Sequence, residues 1–289
     1  MKFLFSLLVL TFSALVFSCS EDGKTGFIPE NDLYIPAHSK LLNESLTKDN
    51  FDAVIDKLET MYAPVIASMG GKLTMIRNWD HGKVNASASR LGKNWMVDIY
   101  GGLARHPQIT PDSFALVICH ELGHLIGGAP KVSDPFRSAA LSWATNEGQA
   151  DYFATLKCLR QVFLNDDNIP TGTVPETLKK SCLASHPNKK DNEICVRSGL
   201  AALSIASFFV SFEQNRSVSL DTPDISKVGK TDDSHPAAQC RLDTFFQGAI
   251  CDKSMNEEVS QQDEIQGTCH VSRGDTSGLR PSCWFRTNI

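Results

Sequence analysis

The stretch ALVICHELGHLIGGAP, residues 115–130, constrains this chain more than any other. It sets two histidines four apart, a glutamate directly after the first, in apolar surroundings that end in Gly127, Gly128 and Pro130. Thr110 offers an N-cap, Pro111 fits the first helical position and Asp112 complements the helix dipole, so the spacing predicts a buried helix from about 111 to 126. On one helix face, residues i and i+4 sit a turn apart, so His120 and His124 can aim their imidazoles at one ion about 2 Å away. Glu121 is rotated by about 100° from His120, too far to join them but well placed beside the ion's open face. The alternative, two histidines satisfied by core hydrogen bonds, must explain three polar groups in this order on one buried helix.

A catalytic zinc site needs a third protein ligand and an open position. The metzincin pattern would put its third histidine at 130, where Pro130 cannot ligate, so that class is excluded. The segment SWATNEGQADYFATLKCLRQVF, residues 142–163, reads as a second helix with Ala150, Phe153, Ala154, Leu156 and Leu159 inward. It offers Glu147 as third ligand and, four residues on, Asp151 to accept a hydrogen bond from a liganding histidine. The alternative is a solvated helix face. The apolar neighbours Trp143, Ala144, Ala150 and Phe153 argue for burial, where an unpaired carboxylate pair is costly.

The remaining sequence places this pair of helices. With 289 residues, 42% of them hydrophobic, the chain can bury one sizeable core. A net charge of -5 without a basic run speaks against nucleic acid as a partner. Residues 50–71 carry Phe51, Val54, Ile55, Leu58, Met61, Tyr62, Val65 and Ile66 at helical spacing, with Asn50 as cap and Gly70-Gly71 as stop. Strands are expected at 72–79, 83–90 and 94–101, in an antiparallel meander. The middle one, VNASASR, reads as a solvated strand or, alternatively, as an edge that adds an extended peptide. Residues 165–198 are expected as a polar excursion pinned by a disulfide, 199–212 as a buried helix, and the rest as mostly loop.

Residues 1–18 have the basic start and short apolar run of an export signal. With Cys19 next, they resemble a bacterial lipoprotein signal, which implies acylation of Cys19 and, with Ser20 following, the outer membrane; an ordinary secretory signal is the alternative. Residues 19–40 then read as a tether. Setting Cys19 aside leaves eight cysteines, an even number that points to disulfides in an exported chain. Cys182–Cys195 and Cys269–Cys283 would close short loops, and the pairing of Cys119, Cys158, Cys240 and Cys251 stays open, with a buried thiol as the alternative for Cys119.

The residues His120-Glu121-Leu122-Gly123-His124, followed by Glu147 and Asp151, resemble the gluzincin metallopeptidases, in the branch of HtpX, the CAAX prenyl protease and BepA. DSHPAAQCR supports this branch, with His235-Pro236 and Arg241 six residues after the histidine. The resemblance covers roughly residues 50–250, and departs from the membrane-embedded members in lacking their transmembrane helices. It implies an α+β fold: a mainly helical, zincin-like peptidase domain over 41–250 with a small antiparallel sheet ahead of the HExxH helix. The cysteines after residue 250 mark 251–289 as a disulfide-pinned tail, which is not part of the resembled pattern. The resemblance also implies one Zn2+ held by His120, His124 and Glu147, with Asp151 behind them, Glu121 as general base, and His235 and Arg241 steadying the oxyanion. The expectation is a zinc endopeptidase of the periplasm, lipid-anchored at Cys19, with a protein or peptide as substrate. Two rivals stand beside it: a non-catalytic zinc lipoprotein acting as scaffold or chaperone, and a hydrolase of non-peptide amides or esters.

Overall fold

A computed structural model describes residues 26–39, 46–133, 143–170, 172–212 and 217–287. The expected signal peptide and Cys19 lie outside these residues.

Helix α1, Lys48–Ser68, is capped by Thr47, whose side chain accepts from the Asn50 amide. Asn50 therefore sits inside the first turn rather than capping it, and Val65 faces solvent instead of the core. Phe51, Ile55, Leu58, Tyr62 and Ile66 form the buried stripe. Gly70, at φ +82°, turns the chain into β1, Lys72–Asn78. Strands β2, Ala86–Leu91, and β3, Asn94–Tyr100, form a hairpin around Gly92 and Lys93.

The sheet is mixed and ordered β1-β3-β2, which corrects the expected antiparallel meander. β1 runs parallel to β3, with Leu73 opposite Trp95 and Arg77 opposite Ile99. β3 carries the buried Trp95, Val97 and Ile99 and takes the centre, while the small Ala86 and Ala88 of β2 lie buried at one edge. β1 cannot pair on β2's outer side at its start, because residues 26–35 lie there: the Phe27 amide donates to the Ala86 carbonyl, and Tyr34 bridges Lys83 antiparallel.

The region read as tether is accordingly not free of the body over 26–39. Phe27 and Ile28 are buried, and the buried Arg105 guanidinium donates to the carbonyl of Ile35. Phe27 and Ile28 were two apolar residues in a polar segment, too short a run to signal packing.

After a short α2, Gly101–Ala104, comes α3, Pro111–Ile126, as expected. Thr110 and Ser113 close a capping box at its start, and every side chain from Ser113 to Ile126 is buried. The second site helix is continuous from Glu147 to Phe163, built from α4, Glu147–Phe153, a π-helical turn, Ala154–Cys158, and α5, Leu159–Phe163. Its five expected inward residues are all buried. The region 165–198 is more ordered than expected, with α6, Glu176–Ser185, and the start of α7, Lys189–Val210, joined by Cys182–Cys195. By length and composition α7 could cross a membrane, but 61% of its apolar window is buried within the body, as suits a core helix. Helix α8, Ala238–Ile250, precedes a tail whose only regular element among the described residues is the 3-10 turn Val271–Arg273.

The disulfides differ from expectation at Cys269 and Cys283. Cys283 pairs with Cys240 and Cys269 with Cys251, so both bridges bolt the tail to α8 or its end. Cys119 is not a thiol: it is bonded to Cys158 and ties α3 to the π turn.

Candidate metal centre

The two helices bring His120, His124 and Glu147 together, all buried and with their ligand atoms within 4.8 Å of one another. His120 Nε2 and His124 Nε2 are 3.0 Å apart, and Glu147 Oε2 lies 3.3 and 3.6 Å from them. Three ligands about 2 Å from one ion at tetrahedral angles stand about 3.3 Å apart, so the spacing fits a divalent metal closely.

Hydrogen bonding behind the ligands fixes their tautomers. His120 Nδ1 donates to Asp151 Oδ1 at 2.6 Å, and His124 Nδ1 donates to the Thr145 carbonyl at 2.8 Å. With both Nδ1 protons committed, the two Nε2 lone pairs and a Glu147 oxygen converge on one point. Glu147 Oε2 has no hydrogen-bond partner among the described residues. Three buried electron pairs facing one another are repulsive unless a cation stands between them, whether a proton or a metal ion. Burial would lower the His120 pKa, but Asp151 and Glu147 raise it to about 9. Burial would raise Glu147, yet His124 and His235 hold it well below the usual carboxylate range. Without a metal this cluster keeps a proton, which a bound ion would displace.

Glu121 is buried within electrostatic reach of His120, His124 and Glu147, with neither carboxylate oxygen hydrogen-bonded among the described residues. Burial pushes its pKa up, opposed by His120 and His124. A carboxyl group with free oxygens and a raised pKa is suited to carry a proton.

His235 reaches the same site from the loop before α8. Its Nε2 is 3.4 Å from Glu147 Oε2 and donates to the Gly26 carbonyl at 2.8 Å, so it acts as a donor rather than as a ligand. Arg241 departs from expectation. Its Nε and Nη2 clamp Asp151 at 2.8 Å each, and Nη1 donates to the Phe27 carbonyl at 2.7 Å. A fork engaged at all three nitrogens pins Asp151, and through it the candidate ligand His120, so in this structure Arg241 meets Asp151 and the Phe27 carbonyl rather than the point between the imidazoles.

Sequence reasoning missed Thr145, Asn85 and the Gly26–Ile28 segment. Thr145 works through its backbone carbonyl, which no side-chain pattern can signal. Asn85 is buried and pairs both ways with the Ile28 backbone, donating from Nδ2 and accepting at Oδ1. Asparagine is uncommon in strands, and its place at the start of VNASAS was the available signal. Two further groups of possible ligands, Asp224 with Cys240 and Cys283 and Asp252 with Cys251 and Cys269, have their cysteines in disulfides. Comparisons with protein-family profiles, curated proteins and solved structures give no match for this chain.

Proposed function

We propose that this chain is a zinc-dependent endopeptidase of the gluzincin type. The observation that carries the reading is the convergence of His120 Nε2, His124 Nε2 and Glu147 Oε2, with the unpartnered Glu121 carboxylate within their electrostatic reach. A zinc ion at that point would polarise a carbonyl and acidify water. Glu121 takes a proton from the attacking water and passes it to the departing amine. His235 Nε2–H, already holding a peptide carbonyl, supports the oxygen that gains charge. Asp151, held by Arg241, and the Thr145 carbonyl keep the two imidazoles aimed.

A purely structural zinc prefers four closed protein ligands and has no use for a nearby base, so Glu121 favours catalysis over the scaffold reading. The burial of the site favours the scaffold. One variant separates the two. Glu121→Gln is expected to keep one zinc per chain, by mass spectrometry, and to lose chelator-sensitive casein cleavage by about 10²–10⁴-fold. Unchanged cleavage would remove Glu121 from its role.

We also infer an envelope location with a lipid on Cys19. Four disulfides suit an oxidising compartment. Fatty-acid labelling of the expressed chain should be abolished by Cys19→Ala; labelling that persists would contradict the anchor.

A further inference from the structure

The covering of the metal centre by the chain's own N-terminal segment has the form of a bound peptide. Phe27 donates its amide to the carbonyl of Ala86, at the start of the edge strand β2. Asn85 pairs both ways with Ile28. Two side chains of the site hold successive carbonyls: His235 that of Gly26, and Arg241 that of Phe27. The Phe27 ring stands edge-on to His120 at 5.0 Å, beside Phe209 and beneath the Arg241 guanidinium. The segment is held as a bound peptide would be, by one backbone bond to the edge strand, four side-chain bonds to its backbone and a pocket for the Phe27 ring.

The segment is also attached in a way that lets it leave. Residues 33–35 are fixed by the Val84 amide on the Leu33 carbonyl, the Tyr34–Lys83 bridge and Arg105 on Ile35. Pro29 and Glu30 are exposed, held among the described residues only by the Glu30–Lys83 ion pair and the neighbouring Asn31 side-chain amide on the Val84 carbonyl, and Gly26, Phe27 and Ile28 are buried. A cleft of about 370 Å³ runs beside them, lined by Ile28, Phe209, Phe212, His235 and Arg241 among others. Gly26 is required there. At φ +114° it adopts a backbone that other residues avoid, and a Cβ would lie 2.3 Å from the Ala86 carbonyl oxygen.

We propose that Gly26–Ile28 are a built-in occupant of the substrate groove: they keep the metal centre closed, and they mark the groove as one for a peptide that carries an aromatic residue after a glycine. This rests on the peptidase reading, and it adds both a substrate preference and a means of restraint. The bond presented is Gly26–Phe27, since the Gly26 carbonyl is the one held by His235 next to Glu147. A competing peptide must displace the segment before it can reach Glu121.

The test is binding of a labelled peptide, Lys-Thr-Gly-Phe-Ile-Pro, copied from residues 24–29, to the zinc-loaded chain. Gly26→Val should still hold one zinc and bind the peptide at least tenfold more tightly than the native chain. A peptide with alanine for phenylalanine should bind neither. The same variant should cleave casein at least tenfold faster. Equal binding to both chains, or none to either with zinc retained, would overturn the proposal. Hydrogen exchange on the native chain gives a second readout that needs no variant. Saturating peptide should speed exchange at the Phe27 amide and leave the β3 amides unchanged; a Phe27 amide that stays protected would also overturn it. Loss of hydrolysis in every form, with the peptide still bound, would instead count against the zinc peptidase.

Discussion

The two helices that carry the candidate metal ligands are held in place by different means. α3 is specified by its own sequence: a capping box, a proline in the first turn and fourteen consecutive buried residues. α4 is the first seven residues of the helix that continues to Phe163, and Glu147 stands at its very start, in the turn whose amides have no partner within the helix. Its local signal is the Asn146 cap. The rest of its support comes from far along the chain. Arg280 donates to Gln149 Oε1, the Tyr152 hydroxyl donates to the Gly278 carbonyl, and the Trp284 ring lies against Gly148. The tail thus buttresses Glu147, while His120 and His124 stand on a helix whose cap and boundaries lie in its own sequence. Metal affinity should therefore depend on residues more than a hundred positions from Glu147, and change little with the start of α3.

The Cys119–Cys158 bridge joins the two helices and is where the largest loss is expected. It closes a 39-residue separation, which loop-closure entropy values at about 4 kcal/mol. Replacing both cysteines with serine should lower the urea midpoint by that equivalent and weaken metal binding with it. A stability loss below about 1 kcal/mol would mean that packing alone aligns the helices. Next comes Gly148→Val. A Cβ there would lie 2.1 Å from the Trp284 ring, so the change should cost about 1–3 kcal/mol and displace Glu147. Titration with zinc in a competing chelator measures it, and unchanged affinity would show that the tail does not support the site.

Arg241→Lys keeps the charge but loses the two-pronged grip on Asp151. It should lower zinc affinity by about 10–100-fold, the usual effect of removing a group that orients a ligand. If Arg241 met substrate alone, affinity for zinc would not move. The smallest effect is expected at α3. Thr110→Ala removes the capping side chain and should cost about 1 kcal/mol of stability with zinc affinity intact. A parallel loss of affinity would erase the distinction between the helices.

The same division explains what was legible in the sequence. His120, His124, Glu147 and Asp151 could be placed because helical spacing converts position into direction, and each occupies the expected face. α3's boundaries followed from Thr110, Pro111 and Gly127 for the same reason. The sheet order was not legible: the start of β2's outer edge meets Phe27, 59 residues before Ala86 (86 minus 27), and local spacing carries no pairing at that range. Arg241 was found from the resemblance but given the wrong contact, because a motif fixes spacing and not which acceptor a guanidinium meets. The tail's disulfides were misassigned on the assumption of short loops, whereas Cys240 and Cys283 are brought together by the packing of Trp284 over α8. Sequence periodicity reads local geometry well, and long-range placement poorly.

X-ray absorption at the zinc edge of the purified, zinc-loaded chain tests the central claim most directly. The account predicts one zinc per chain, coordinated by two imidazoles and carboxylate or water oxygen with no sulfur, and loss of that spectrum in Glu147→Ala. Sulfur in the coordination shell, or a chain that binds no stoichiometric zinc, would contradict it.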